Sequence, residues 1–191
     1  MKGKIILVTG GARSGKSRFA EKLVGALGVK TAYIATAEVW DDEMAARVAL
    51  HRTRRPADWL TFEAPLEADK AMAEALAGAE AVLFDCLTVY TSNLLLSSAM
   101  PATAGEQRYR FVREEIAKLL QSAKARPATV VFVTNEVGMG IVPDNALARE
   151  FRDLAGLVNE QVAAAADEVY LTVSGLAVEL KKIATAIDKE V

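Results

Sequence analysis

The chain has 191 residues, 52% of them hydrophobic, and its 23 basic and 25 acidic side chains leave a net charge of −2. That is apolar material for one sizeable core, and the near-neutral balance argues against the broad basic face of a nucleic-acid-binding surface. A single cysteine, Cys86, excludes an internal disulfide and a thiolate metal cluster, as expected in a reducing cytoplasm. The N-terminal apolar run is too short for a secretory leader and no run is long enough to span a bilayer. A cytoplasmic protein with no membrane span and no nucleic-acid partner is therefore expected.

Lys4 to Thr9 is apolar and β-branched and reads as a buried strand. It runs into Gly10-Gly11-Ala12-Arg13-Ser14-Gly15-Lys16-Ser17, and a helical pattern from Arg18 to Leu27 follows at once. Strand, Gly-x-x-x-x-Gly-Lys-Ser and helix in that order are the context in which such a loop cradles phosphates. The glycines free the backbone, the loop amides turn toward an anion at the positive end of a helix, and Lys16 reaches the β- and γ-phosphates. The Ser17 hydroxyl is then a ligand for Mg²⁺.

Lys30 to Thr36 reads as a second strand. Asp41-Asp42-Glu43 opens a helix with acidic residues at its positive end, Met44 and Val48 recur at helical spacing, and Pro56 stops the segment after Arg52-Thr53-Arg54-Arg55. Trp59 to Glu63 alternates as a short strand, and Leu66 to Ala77 is an alanine-rich helix. Ala81 to Asp85 is a buried strand ending in a carboxylate. Leu87 to Ala99 is helical, Met100 to Gly105 is a loop, and Glu106 to Ala125 shows 3.6-residue periodicity. Thr129 to Thr134 is an apolar strand leading into the loop Asn135 to Pro143. Asp144-Asn145 caps a helix running to about Ala166, Glu168 to Val173 is the last strand, and Gly175 to Leu180 is a short closing element. Residues 182–191 are expected to fray. Apolar strands alternating with helices predict an α/β fold, a mostly parallel sheet covered on both faces. One P-loop domain over residues 1–191 is expected, with ligands outside the C-terminal strand ends.

That rule singles out a few side chains. Asp85 ends its strand where a phosphate-loop fold carries a second metal carboxylate; the alternative is a cap on the helix that follows. His51, the one histidine, lies among Arg47, Arg52, Arg54 and Arg55. A histidine among arginines is by default part of a solvated face. Near a phosphorus centre, however, those cations keep the imidazole neutral and nucleophilic and bind a triphosphate. Thr36 and Glu63 are placed to meet a base or ribose, or are structural. Asn135 and Glu136 either orient a water, a hydroxyl or Mg²⁺, or cap a helix. Gly138 and Gly140 flank Met139 in a loop able to move over a substrate. Cys86 reads as a small buried hydrophobe, since no second histidine exists to activate it.

The phosphate loop together with Ile34-Ala35-Thr36, Asp41 to Arg47 with His51, Thr134 to Pro143, and Phe151 to Gly156 with Asn159 resembles one family. It is the bifunctional adenosylcobinamide kinase / adenosylcobinamide-phosphate guanylyltransferase family of cobalamin biosynthesis. The resemblance runs from about Ile5 to Lys181, and the Thr134 to Pro143 stretch is its most specific part. It implies a RecA-like P-loop core and a homotrimer with sites near subunit boundaries. It also implies two reactions: an NTP (ATP or GTP) phosphorylates adenosylcobinamide, then GTP donates GMP to an enzyme histidine, and adenosylcobinamide phosphate takes it up. The implied metal is Mg²⁺ or Mn²⁺, held by Ser17 and Asp85. By this resemblance the guanylylated residue is His51, with Lys16 as its catalytic partner. The implied nucleotide-binding positions are Gly10, Gly11, Ala12, Arg13, Ser14, Gly15, Lys16, Ser17, Ala35, Thr36, Ala37, Arg52, Thr53, Arg54, Arg55, Glu63 and Asp85. Two other readings compete: a P-loop kinase without a covalent intermediate, and a nucleotide-gated binding module.

Overall fold

Both sets of alternating side chains in the central strands are apolar. In β1 (Lys4–Gly10), β4 (Ala81–Asp85) and β5 (Thr129–Val133), the residues Ile5, Leu7, Val82, Phe84, Val130 and Phe132 are buried in one layer. Ile6, Val8, Leu83, Val131 and Val133 are buried in the other. A strand buried on both faces must be covered on both, which in practice means parallel strands joined by helical crossovers. The computed structural model, which describes residues 3–38 and 56–185, has that architecture. With β2 (Thr31–Ala35), β3 (Leu60–Glu63), β6 (Glu168–Val173) and β7 (Leu176–Glu179), the sheet has seven strands in the order β3-β2-β4-β5-β1-β6-β7. All neighbours are parallel except β6 and β7.

Helix α1 (Lys16–Gly25) crosses one face over β1, β5 and β4, burying Ala20 and Val24. On the other face lie α2 (Ala68–Gly78), α3 (Leu87–Leu96), α4 (Glu106–Lys124) and α5 (Ala146–Ala165). There α2 packs on α4, α4 on α5 and α5 on α3. Phe84 and Phe132 meet beneath them at a centroid separation of 5.4 Å, and Tyr90 of α3 stands edge-on to Phe84 at 5.9 Å.

Most expected elements are present with ends shifted by a few residues. α1 starts at Lys16 rather than Arg18, because the glycine of the motif itself occupies the N-cap. α3 stops at Leu96, not Ala99, where Ser97 turns extended and its hydroxyl donates to the Leu94 carbonyl. The closing element after Gly175 is a strand, β7, and a short turn of helix follows at Leu180–Lys182. The helix expected from Asp41 lies outside the described residues.

One row of the sheet's register fixes the site. Glu63, Ala35, Asp85, Val133 and Val8 are consecutive partners from β3 through β2, β4 and β5 to β1. At the opposite end, Asp167 accepts the Ile5 N–H at 2.8 Å and Lys4 pairs with Glu168 at 2.6 Å, locking β1 to β6. The bond from Lys4 holds the Glu168 carboxyl below its ordinary value. A depressed folded value means that the pair stabilises the fold above the ordinary carboxylate range. That contribution is lost as pH falls through the folded value. Glu168→Gln is expected to cost at most about 1 kcal/mol in urea unfolding at pH 7, with the cost shrinking as pH is lowered below the ordinary carboxylate range; a cost that stays constant down that range would refute the ionic contribution.

Candidate active site

The loop between β1 and α1 is a tight turn. The Ser14 N–H donates to the Gly11 carbonyl at 3.2 Å, and Arg13 and Gly15 take φ of 57° and 96°. The two glycines of the motif are needed for different reasons. Gly15 is left-handed, and a Cβ there would stand 3.1 Å from the Gly175 Cα. Gly10 lacks space: a Cβ would lie 2.4 Å from Thr172 Oγ1 and 2.6 Å from Ser14 Oγ. α1 begins at once, with no side chain capping its first turn and no acidic residue in it. Its amide donors and positive dipole end are thus left for an anion. The Lys16 ammonium donates to the Gly11 carbonyl at 3.2 Å, so it bends back over the loop it belongs to.

Two strands away, Asp85 takes a bond from the Tyr33 phenol at 3.1 Å. This corrects the capping alternative for that carboxylate: Cys86 stands at the N-cap of α3, with no side-chain bond there. Thr36 is fully buried. Its hydroxyl donates to the Cys86 carbonyl at 2.9 Å and accepts the Cys86 N–H at 2.8 Å, while its own N–H reaches the Asp85 carbonyl at 3.3 Å. The Asp85–Cys86 peptide between these bonds is cis. Thr36 therefore faces protein, and holds the backbone that carries Asp85. Asn93 secures it in turn, donating to the Thr36 and Pro65 carbonyls at 2.8 and 3.0 Å. Ala35 and Ala37 flank this corner half-buried, and Glu63 is exposed at the end of the same register row. His51, Arg52, Thr53, Arg54 and Arg55 lie outside the described residues.

Strand β5 leaves the sheet between these two centres. The Thr134 hydroxyl donates to Asn159 of α5 at 2.7 Å and lies 3.1 Å from the Thr88 hydroxyl, which accepts the Asn135 N–H at 2.6 Å. Asn159 closes the network on the Asn135 carbonyl at 3.1 Å. The Glu136 N–H then donates to the Gly10 carbonyl at 3.0 Å, so the β5 exit loop grips the phosphate loop directly. Neither Asn135 nor Glu136 caps a helix, which corrects that alternative. The Glu136 carboxylate takes the Gly138 and Met139 N–H groups within its own turn. Asn145 caps α5, accepting from the Ala148 N–H at 2.8 Å.

Residues 6–180 match the family described as cobinamide kinase / cobinamide phosphate guanyltransferase. The chain belongs to that family. It is 49% identical to the bifunctional adenosylcobalamin biosynthesis protein CobU of Salmonella typhimurium, over 93% of this chain and 99% of that one. The Escherichia coli protein of the same name is 48% identical over the same shares. The bifunctional adenosylcobalamin biosynthesis protein CobP of Pseudomonas aeruginosa is 39% identical, over 92% and 96%. A solved ATPase from the type III secretion system of pathogenic bacteria superposes with a TM-score of 0.61 at 15% identity. The match covers 97% of this chain and 59% of that one, and shows the fold alone: a RecA-like P-loop α/β fold.

For this cobinamide kinase / guanyltransferase family member, the described site thus joins the phosphate loop, the Asp85 corner and the β5 exit loop along one sheet edge. Sequence reading overlooked Tyr33, Thr88 and Thr172, whose hydroxyls each find a side-chain partner 46 or more positions away. The only signal was the hydroxyl itself, out of place in a buried strand or helix. Cys86, by contrast, is as read: 9% exposed, its thiol pushed up to about 11 by burial, with Asp85 adding and Lys16 opposing. At pH 8 native protein is expected to react with an aromatic disulfide reagent at least tenfold more slowly than protein unfolded in guanidinium. Fast stoichiometric labelling of the native thiol would contradict this.

Proposed function

We propose that the chain phosphorylates the aminopropanol hydroxyl of adenosylcobinamide with a nucleoside triphosphate, then transfers GMP from GTP to adenosylcobinamide phosphate. The first step releases a nucleoside diphosphate, and the second gives adenosylcobinamide-GDP and pyrophosphate. One observation carries the reading: an open-ended phosphate loop, its backbone locked in place, in a chain nearly half identical end to end to proteins named as bifunctional. The neutral His51 imidazole attacks the α-phosphorus of GTP. An N–P bond forms, the bond to the bridging oxygen breaks, and pyrophosphate leaves with the electron pair. A phosphate oxygen of the corrinoid then attacks the same phosphorus and returns the imidazole. The two half-reactions run in line without GTP and the bulky corrinoid meeting.

The amides of residues 10–17 and the Lys16 ammonium hold the triphosphate, and Arg52, Thr53, Arg54 and Arg55 are further nucleotide-binding residues in this reading. Ala35, Ala37 and Glu63 border the nucleoside, and Thr36 supports them from beneath. The residues fit Mg²⁺ or Mn²⁺ as a nucleotide-borne ion. Among the described residues no cluster of three His, Cys, Asp or Glu side chains forms a dedicated cage. The Ser17 hydroxyl and the Asp85 carboxylate, which takes a bond from Tyr33, would hold such an ion beside phosphate and water oxygens. When bound, it neutralises phosphate charge.

GTP labelled at its α-phosphate is expected to leave acid-labile label on the protein, absent in His51→Ala and reduced at least a hundredfold in Lys16→Ala. Absence of label on wild type would leave only a kinase.

We also place the enzyme in the cytoplasm, acting as one α/β domain within a homotrimer. Among the described residues no helix is long and apolar enough to cross a membrane. Met139 and Ile141, 84% and 97% exposed on the β5 exit loop, and Val173, Leu176 and Val178 on the sheet edge support an assembly. Light scattering is expected to give three chain masses; a monomer at micromolar concentration would refute it.

A further inference from the structure

The β6–β7 hairpin reaches back against the phosphate loop. Its turn is Ser174-Gly175, with φ of 51° and 82°, closing the Val173–Leu176 pair. Ser14 Oγ and Thr172 Oγ1 are 2.8 Å apart, both residues buried. Thr172 donates to the Thr9 carbonyl at 3.1 Å, and a hydroxyl has one hydrogen, so Ser14 is the donor within the pair. The Gly175 N–H in turn donates to the Ser14 carbonyl at 2.9 Å. Ser14 is held by side chain and by backbone, and both bonds come from one element.

Planarity of the Ser14–Gly15 peptide converts that grip into aim. In a trans peptide the C=O and the next N–H point in opposite directions. With the Ser14 carbonyl fixed on the hairpin, the Gly15 N–H must point away from it. Gly15 is also the N-cap of α1, so this amide belongs to the donors at the positive helix end.

We infer that Thr172 and Gly175 are positioning residues for the nucleotide's β-phosphate, the hairpin presetting the Gly15 amide before any ligand arrives. The inference rests on the nucleotide reading of the loop. Such presetting lowers the ordering cost of binding, and it benefits only ligands long enough to reach the loop.

The test compares GTP, GDP and GMP affinities by calorimetry on the full chain, for wild type, Thr172→Val and Thr172→Ser. The valine keeps the shape and leaves the Ser14 hydroxyl without its acceptor; the serine keeps the acceptor. GTP and GDP affinity is expected to fall about tenfold in Thr172→Val, with GMP changed less than twofold and Thr172→Ser within twofold of wild type for all three. Unchanged GTP affinity in Thr172→Val, or an equal loss for GTP and GMP, would overturn the positioning role, the latter marking general loosening of the fold. Wild type that binds GTP no better than GMP would instead overturn the nucleotide reading of the loop. Should Thr172→Val fold poorly, Ser14→Ala removes the same bond from the other side and is expected to reproduce the GTP-selective loss; a nonselective loss there overturns the inference.

Discussion

A phosphate loop must turn several amides toward one point, and every carbonyl it turns away needs a donor of its own. That second requirement shapes this molecule. The Gly10 carbonyl takes the Glu136 N–H from the β5 exit loop, Gly11 takes the Ser14 N–H and the Lys16 ammonium, Ser14 takes the Gly175 N–H from the hairpin, and Gly15 takes the Phe19 N–H within α1. The loop is thereby gripped from both neighbours of β1. An orphaned buried carbonyl costs on the order of 1–3 kcal/mol, so each bond removes an alternative loop conformation.

The same constraint accounts for the central place of β1 between β5 and β6. A strand at the sheet edge would offer the loop one supporting neighbour; this one has two, parallel on both sides. The packing is close enough at Gly10 that no side chain fits, which ties the motif's first glycine to Thr172, 162 positions later in a different part of the chain. At the other centre, Asp85 depends on a similar arrangement. Tyr33 steadies its carboxylate, and the buried Thr36 hydroxyl clamps the backbone just after it. Two buried threonines, Thr36 and Thr172, thus do equivalent work on either side of the site, each without facing a ligand.

Charge follows the same economy. The first turn of α1 has no acidic residue to oppose its positive end, and the Asp85 carboxylate lies two strands from β1. The Cys86 thiol next to it is kept neutral by burial and takes no part in that balance. Both activities for which the family is named displace a group at phosphorus.

The strands were legible because their apolar runs are short, β-branched and bounded by turn residues; Ala81–Asp85 and Glu168–Val173 were readable to the residue. The phosphate loop was legible because its function is local, resting on glycine conformations and on a helix that starts within the motif. The parallel α/β architecture followed from runs apolar on both faces. What the linear order could not supply was partnership across the sheet. That Thr172 would lie behind Ser14, that Tyr33 would meet Asp85, and that Glu136 would bond to Gly10 rather than cap a helix depend on the strand order β2-β4-β5-β1-β6 and its register. A hydroxyl in a buried strand announces only that it needs a partner. Which partner it finds is settled when distant strands align, because hydrogen-bond range is about 3 Å and sequence distance says nothing about it.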